Sequence, residues 1–142
     1  MAWAIESTRD IATTPATIWR YYTDPATWPR WAHNTAAARF EGQIEVGSEG
    51  RVEPKRGRQT IAVRVTVLEP EERLVSEARV PGAVVRFGCR IEPTPTGVRI
   101  RHEVGMSGPM AGVYGLMVKR WNARELPEEM ERLADLVSGT RA

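Results

Sequence analysis

His102 and Cys89 are the two side chains of this 142-residue chain best suited to chemistry near neutral pH. A histidine titrates close to neutrality, so His102 could serve as general acid or base toward a carbonyl. The alternative role is a histidine hydrogen-bonded in the core or to a cavity water. Tyr114 is a second candidate for proton transfer. Cys89 is the only cysteine. As a nucleophile it would need a neighbour that stabilises the thiolate, and nothing adjacent in sequence supplies one, so its competing role is that of a small buried hydrophobe. A lone cysteine also excludes an internal disulfide and a cysteine-based zinc site. His33 and His102 are far apart, and no HExxH, CxxC or EF-hand spacing occurs. The glycines at 42, 47 and 50 sit in a hairpin with no helix after them, unlike a phosphate loop. No metal and no cofactor is expected.

The elements that must position these groups follow from periodicity. Trp3 to Ile11 alternates as a strand, with Trp3, Ile5 and Ile11 on one face and Arg9 beside them. Thr13 or Thr14 can cap a helix with Pro15 at its first position, on which Ile18, Trp19 and Tyr22 form an apolar stripe. Asp24-Pro25 ends it, and a short helical turn from Ala26 places Trp28 and Trp31 on one side. Period two then predicts strands near Ala38–Glu41, Gly50–Pro54, Gln59–Leu68, Arg73–Val80, Val84–Glu92 and Gly97–Ser107. The turns between them include Lys55-Arg56-Gly57-Arg58 and Pro81-Gly82. After Pro109 a helical period returns, with Met110, Val113, Tyr114, Met117, Val118 and Trp121 on one face, and Pro127 is expected to kink or break this helix. The order is strand, two short helices, six strands and a long terminal helix: an α+β fold with one antiparallel sheet.

Side-chain parity sorts the sheet into two faces. Ile61, Val63, Val65 and Val67 share one face, as do Val85, Phe87, Cys89 and Ile91, and Val98, Ile100, His102, Val104 and Met106. Leu74, Ser76, Ala78 and Val80 join them, leaving Arg64, Glu77, Arg86, Arg90, Arg99 and Arg101 opposite. The inner polar groups are therefore Ser76, Cys89 and His102, with Arg9 possible from the first strand.

The chain fits one domain spanning residues 1–142. Twenty basic and eighteen acidic residues leave a net charge of +2, with the signs interspersed, as in Glu69-Pro70-Glu71-Glu72-Arg73 and Glu128-Glu129-Met130-Glu131-Arg132. Such stretches read as solvated surface, and without a basic stripe nucleic-acid binding is not expected. The sequence has neither a signal-like start nor a membrane span, which with the cysteine count points to a cytoplasmic protein.

The Pro15-to-Trp19 helix start, Asp24-Pro25 followed by Trp28-Pro29-x-Trp31, the Val46-Gly47-Ser48-x-Gly50-Arg51 hairpin and the amphipathic terminal helix resemble the polyketide cyclase/dehydrase branch of the START-like superfamily, also called SRPBCC. The resemblance implies the helix-grip fold of the birch-pollen allergen, a seven-stranded curved sheet around the long C-terminal helix with a pocket between them. By the same resemblance Trp28, Trp31 and the hairpin around Gly47 rim the mouth, while Phe87, Cys89, His102, Met106, Met110, Tyr114, Met117 and Trp121 line the pocket. Ser76, His102, Tyr114 or Arg9 would anchor a polar group of the ligand. Family cyclases carry arginine and serine inside the pocket. Here Arg64 falls on the outer parity, and Val63 and Val65 take inner positions. The functions implied are binding of a hydrophobic small molecule (a polyketide, lipid or aromatic compound), an aromatase/cyclase-type reaction, or a protein-interaction role like that of chaperone-ATPase activators. The last would leave a packed interior and an exposed apolar patch.

Overall fold

The two strands nearest the N-terminus end up on opposite edges of one sheet, and this dictates where the short helices lie. In the computed structural model, which describes residues 2–32, 34–55 and 60–138 and only the backbone of Ala2 and Met117, the strands are β1 (Ala2–Ile11), β2 (Ala37–Phe40), β3 (Glu49–Glu53), β4 (Ile61–Glu69), β5 (Arg73–Val80), β6 (Ala83–Thr94) and β7 (Gly97–Ser107). They form a seven-stranded sheet in the order β1-β7-β6-β5-β4-β3-β2, every neighbouring pair antiparallel. At about 4.8 Å per strand spacing, the chain between β1 and β2 must travel roughly 29 Å across the sheet. It does so over the inner face as α1 (Pro15–Thr23), a 3-10 turn (Pro25–Thr27) and the single turn α2 (Trp28–Trp31). Most of the expected turn at Lys55–Arg58, and Gln59, lie outside the described residues.

Local chemistry fixes this crossing. Thr14 caps α1, its hydroxyl accepting from the Thr17 amide at 3.3 Å, and Pro15 occupies the first turn. Asp24 ends α1 and caps the next turn through the Ala26 amide at 3.1 Å. The long helix α3 (Ala111–Ser138) then packs on β1 and β7.

Two sequence expectations change here. A β-bulge lies between Val65 and Val67, so Val67 stands opposite Val75 and Leu68 opposite Leu74. Residues directly opposite share a face. Val67 therefore leaves the inner face and Leu68 joins it, packing against the apolar core. The second change concerns α3, which runs through Pro127 without a break. Leu126, Glu129, Met130 and Leu133 are all buried around the proline, and this packing outweighs the lost amide donor.

The side of α3 that meets the sheet is also rotated from the expected one. Ala111, Gly115, Asn122 and Leu126 are buried, whereas Val113, Leu116 and Trp121 are exposed. Small residues decide this, because they let the helix approach β1 closely enough for the Trp3 indole to donate to the Ala111 carbonyl at 3.0 Å. A Cβ on Gly115 would lie 2.9 Å from Trp3 Nε1. Gly115→Ala is expected to be destabilising by about 1 kcal/mol net. Overpacking of roughly 2 kcal/mol outweighs a helix-propensity gain of ~1 kcal/mol. Urea unfolding measures it, and a stabilised variant would show that the Trp3 ring moves aside freely.

Candidate functional site

The inner face of the sheet carries one polar row. His102 on β7 stands opposite Cys89 on β6 and Ser7 on β1. Rows flank it: Ile5, Val104 and Phe87, ending at Ser76, on one side, Ile100 and Ile91 on the other. The core correspondingly forms two apolar clusters. One gathers Ile18, Tyr22, Trp31, Leu74, Ile100, Met130 and Leu133; the other gathers Val85, Val104, Met106, Ala111 and Leu126.

Three helices roof His102, each with one side chain. Tyr22 from α1 places its hydroxyl 2.7 Å from His102 Nε2, and Glu129 from α3 places Oε2 2.6 Å from Nδ1. The Trp31 ring of α2 lies 5.9 Å from the imidazole and 5.7 Å from the Tyr22 ring, centroid to centroid. Arg132 of α3 holds this turn by donating to the Trp31 carbonyl at 3.1 Å. Tyr22 is 0% exposed, His102 1% and Glu129 6%. A carboxylate so deeply buried is costly unless paired, and the pairing here is with an imidazole at charge-assisted distance.

The protonation pattern follows. Burial pulls His102 toward the neutral form, but the acidic groups of Cys89 and Glu129 beside it outweigh burial and raise its pKa to about 10. Burial, followed by Cys89 and Glu129, holds the Tyr22 phenol well above its ordinary value. At neutral pH the imidazolium thus donates from Nδ1 to Glu129 and from Nε2 to the Tyr22 oxygen. The phenolic O–H is left pointing elsewhere.

Cys89, Phe87 and Ser76 all point inward yet keep accessible surface. Two concavities, of about 580 and 380 Å³, lie on the opposite face of the sheet. The first is lined by Val46, Gly47, Arg51, Arg64 and Arg79, the second by Ala4, Val84, Arg86 and Gly105. No group of three or more His, Cys, Asp or Glu side chains able to hold a metal occurs among the described residues. No helix among them is long and apolar enough to cross a membrane.

Residues 2–138 match the family model described as polyketide cyclase/dehydrase and lipid transport. The chain belongs to this family. No curated protein matches it. Among solved structures, protein MLL2253 from Mesorhizobium loti is similar over 99% of this chain and 100% of its own, at 24% identity and a TM-score of 0.70. Norcoclaurine synthase from Thalictrum flavum, solved with dopamine and hydroxybenzaldehyde, aligns over 100% of this chain and 90% of its own, at 13% identity and a TM-score of 0.73. The di-domain aromatase/cyclase StfQ of steffimycin biosynthesis aligns over 98% of this chain and 51% of its own, at 12% identity and a TM-score of 0.78. These likenesses support the helix-grip fold read from the sequence.

Within this polyketide cyclase/dehydrase relative, the expected site residues lie in several separate places. Ser76, Phe87, Cys89, His102 and Met106 share the inner face of the sheet, with Met106 buried in the second cluster. Trp31 is not at a rim but buried over His102, and Trp28 is half-buried, its indole donating to the Tyr22 carbonyl at 3.2 Å and its ring edge-on to Phe40. Tyr114 is half-buried and donates to the Pro81 carbonyl at 2.8 Å, which ties α3 to the β5–β6 turn and removes it from His102. Met110 and Trp121 are exposed because α3 turns Gly115 and Asn122 inward. Val46 and Gly47 line the outer concavity. Arg9 has the inner parity yet is exposed on the edge strand. His33 and the Met117 side chain lie outside the described residues.

Glu129 and Tyr22 are the site residues that the sequence reading assigned elsewhere, to solvated surface and to plain core. The signal for Glu129 was available. It lies three residues after Leu126 and four before Leu133, on the apolar stripe of the helix.

Proposed function

We propose that this chain binds a hydrophobic small molecule between the sheet and α3, in the space bordered by Ser76, Phe87 and Cys89. The observation that carries the reading is the accessibility of these three inward-facing residues, with separate apolar clusters and the polar His102 row beside them. Membership of a family described by cyclisation, dehydration and lipid transport supports it, as does fold similarity to a synthase solved with two aromatic compounds. The ligand is an aromatic compound, polyketide or lipid. The cytoplasm as the compartment, and residues 1–142 as one binding unit, complete the proposal.

Burying about 300 Å² of apolar ligand surface supplies roughly 7 kcal/mol gross, against an association cost of at least ~4 kcal/mol. Millimolar or weaker affinity is therefore expected from apolar contact alone. Native mass spectrometry of freshly purified protein tests for a retained ligand, and tryptophan fluorescence follows titration with aromatic compounds. Ser76→Phe, which fills the space from the sheet side, is expected to weaken binding at least ~10-fold, a step of about 1.4 kcal/mol, with little change in unfolding midpoint. Flat titrations of both proteins and a ligand-free mass would sink the reading.

A second, catalytic reading rests on the Glu129–His102–Tyr22 chain. Tyr22 is enclosed in this structure, so the reading requires α1 or α2 to lift; Tyr22 would then protonate a ligand carbonyl oxygen, His102 Nε2–H would restore the phenol proton, and Glu129 would remain a carboxylate opposite Nδ1. The reaction class is enolisation, cyclisation or dehydration of a carbonyl compound. Tyr22→Phe is then expected to lower turnover of such a compound by about 10²–10⁴-fold. Unchanged turnover would remove Tyr22 from the chemistry.

A further inference from the structure

The N-terminal half of α3 presents a face that neither the sheet nor any other described element covers. Val113 is 71% exposed, Leu116 70% and Trp121 45%. Residues three and four apart on a helix are neighbours, so 113, 116, 120 and 124 form one stripe with Trp121 at its border. This stripe lies opposite the buried Ala111, Gly115, Asn122 and Leu126. Met110, half-exposed beside the Pro81-Gly82 turn, extends the apolar end, its amide bonded to the Gly82 carbonyl at 2.9 Å. Four large apolar side chains in water along about three turns form a patch that monomeric proteins keep for a partner.

Charge says which partner. From Met110 to Arg124 the sequence carries Lys119, Arg120 and Arg124 and no acidic residue, and all three cations are exposed. Acidic residues begin at Glu125 and recur at Glu128 and Glu131, beyond the apolar stretch. An apolar end followed by a basic collar with a tryptophan at the boundary fits a layered surface, hydrocarbon below and anionic headgroups above. A protein partner would fit the apolar stripe equally well but does not call for this axial order of apolar, aromatic and cationic residues.

The geometry points to the α3 face of Met110, Val113, Leu116, Arg120, Trp121 and Arg124 as a docking surface for an anionic lipid bilayer, its apolar N-terminal end lowermost and its cationic turn at the headgroups, without spanning it. The docking surface is separate from the interior site and does not depend on what that site binds. Co-sedimentation with vesicles tests it. Binding is expected to equal parts phosphatidylcholine and phosphatidylglycerol, and to fade with added salt and on pure phosphatidylcholine. With two cations removed, at ~1 kcal/mol each, the Arg120→Gln/Arg124→Gln double variant is expected to bind about 30-fold more weakly. Leu116→Asp is expected to abolish pelleting. Both change exposed side chains, so unfolding midpoints should match the parent. Failure of the parent to pellet with anionic vesicles, or equal pelleting of parent and variants, overturns the assignment. So does a soluble dimer that Leu116→Asp dissociates while vesicles are ignored, which would give the face to a second copy of this chain.

Discussion

Glu129→Ala is expected to lower the unfolding free energy by about 3–5 kcal/mol, because it leaves the His102 imidazolium buried without its counter-charge. The size follows from where the pair sits: Glu129 and His102 are almost wholly buried and meet at 2.6 Å. His102→Ala should cost a similar amount, now by stranding the carboxylate. The H102A/E129A double variant should be much less destabilised than the sum of the two, since neither charge is then left alone. Chemical unfolding of the four proteins measures the coupling. Additive losses would show that the two side chains act as independent packing elements.

The pH dependence of stability gives the second large effect, and its sign is opposite to that of an ordinary carboxylate. The folded pKa of His102 is raised from 6.5 to about 10, so the folded state holds a proton that the unfolded chain releases. The stabilisation is complete below about pH 6.5 and is lost as pH rises through about 10. A decline on the order of a few kcal/mol is expected across that window. Tyrosines and lysines titrate in the same range, so the parent must be compared with His102→Gln, which should show a much flatter profile. Parallel profiles would mean that His102 is neutral in the fold.

Most of the architecture was legible because two periodicities alternate cleanly along the chain. Strict period two from Val85 to Ile91 and from Val98 to Met106 puts Cys89 and His102 on the inner face. Proline and threonine at 13–15 marked the start of α1 for the same local reason that Thr14 caps it. What stayed hidden depends on partners distant in sequence. The rotation of α3 is set by Trp3 against Gly115, more than a hundred residues away, and a helical wheel weighs Val113 and Trp121 as inward because they are apolar. Glu129 was read by its charge within an acidic run, although spacing put it on the apolar side. Its acceptance there depends on a histidine from β7, which no local pattern reveals.

The bulge in β4 makes that strand one residue longer than its pairing requires. Thr66 has no opposite number on β5, while Val65 faces Ser76 and Val67 faces Val75. Removing Thr66 would join two correctly paired halves and leave every neighbouring side chain on its present face. The same single-residue deletion inside β6 or β7 would turn half of the strand inside out, because one step exchanges core and solvent sides. β4 is therefore where this sheet can change length by one residue and still keep its interior.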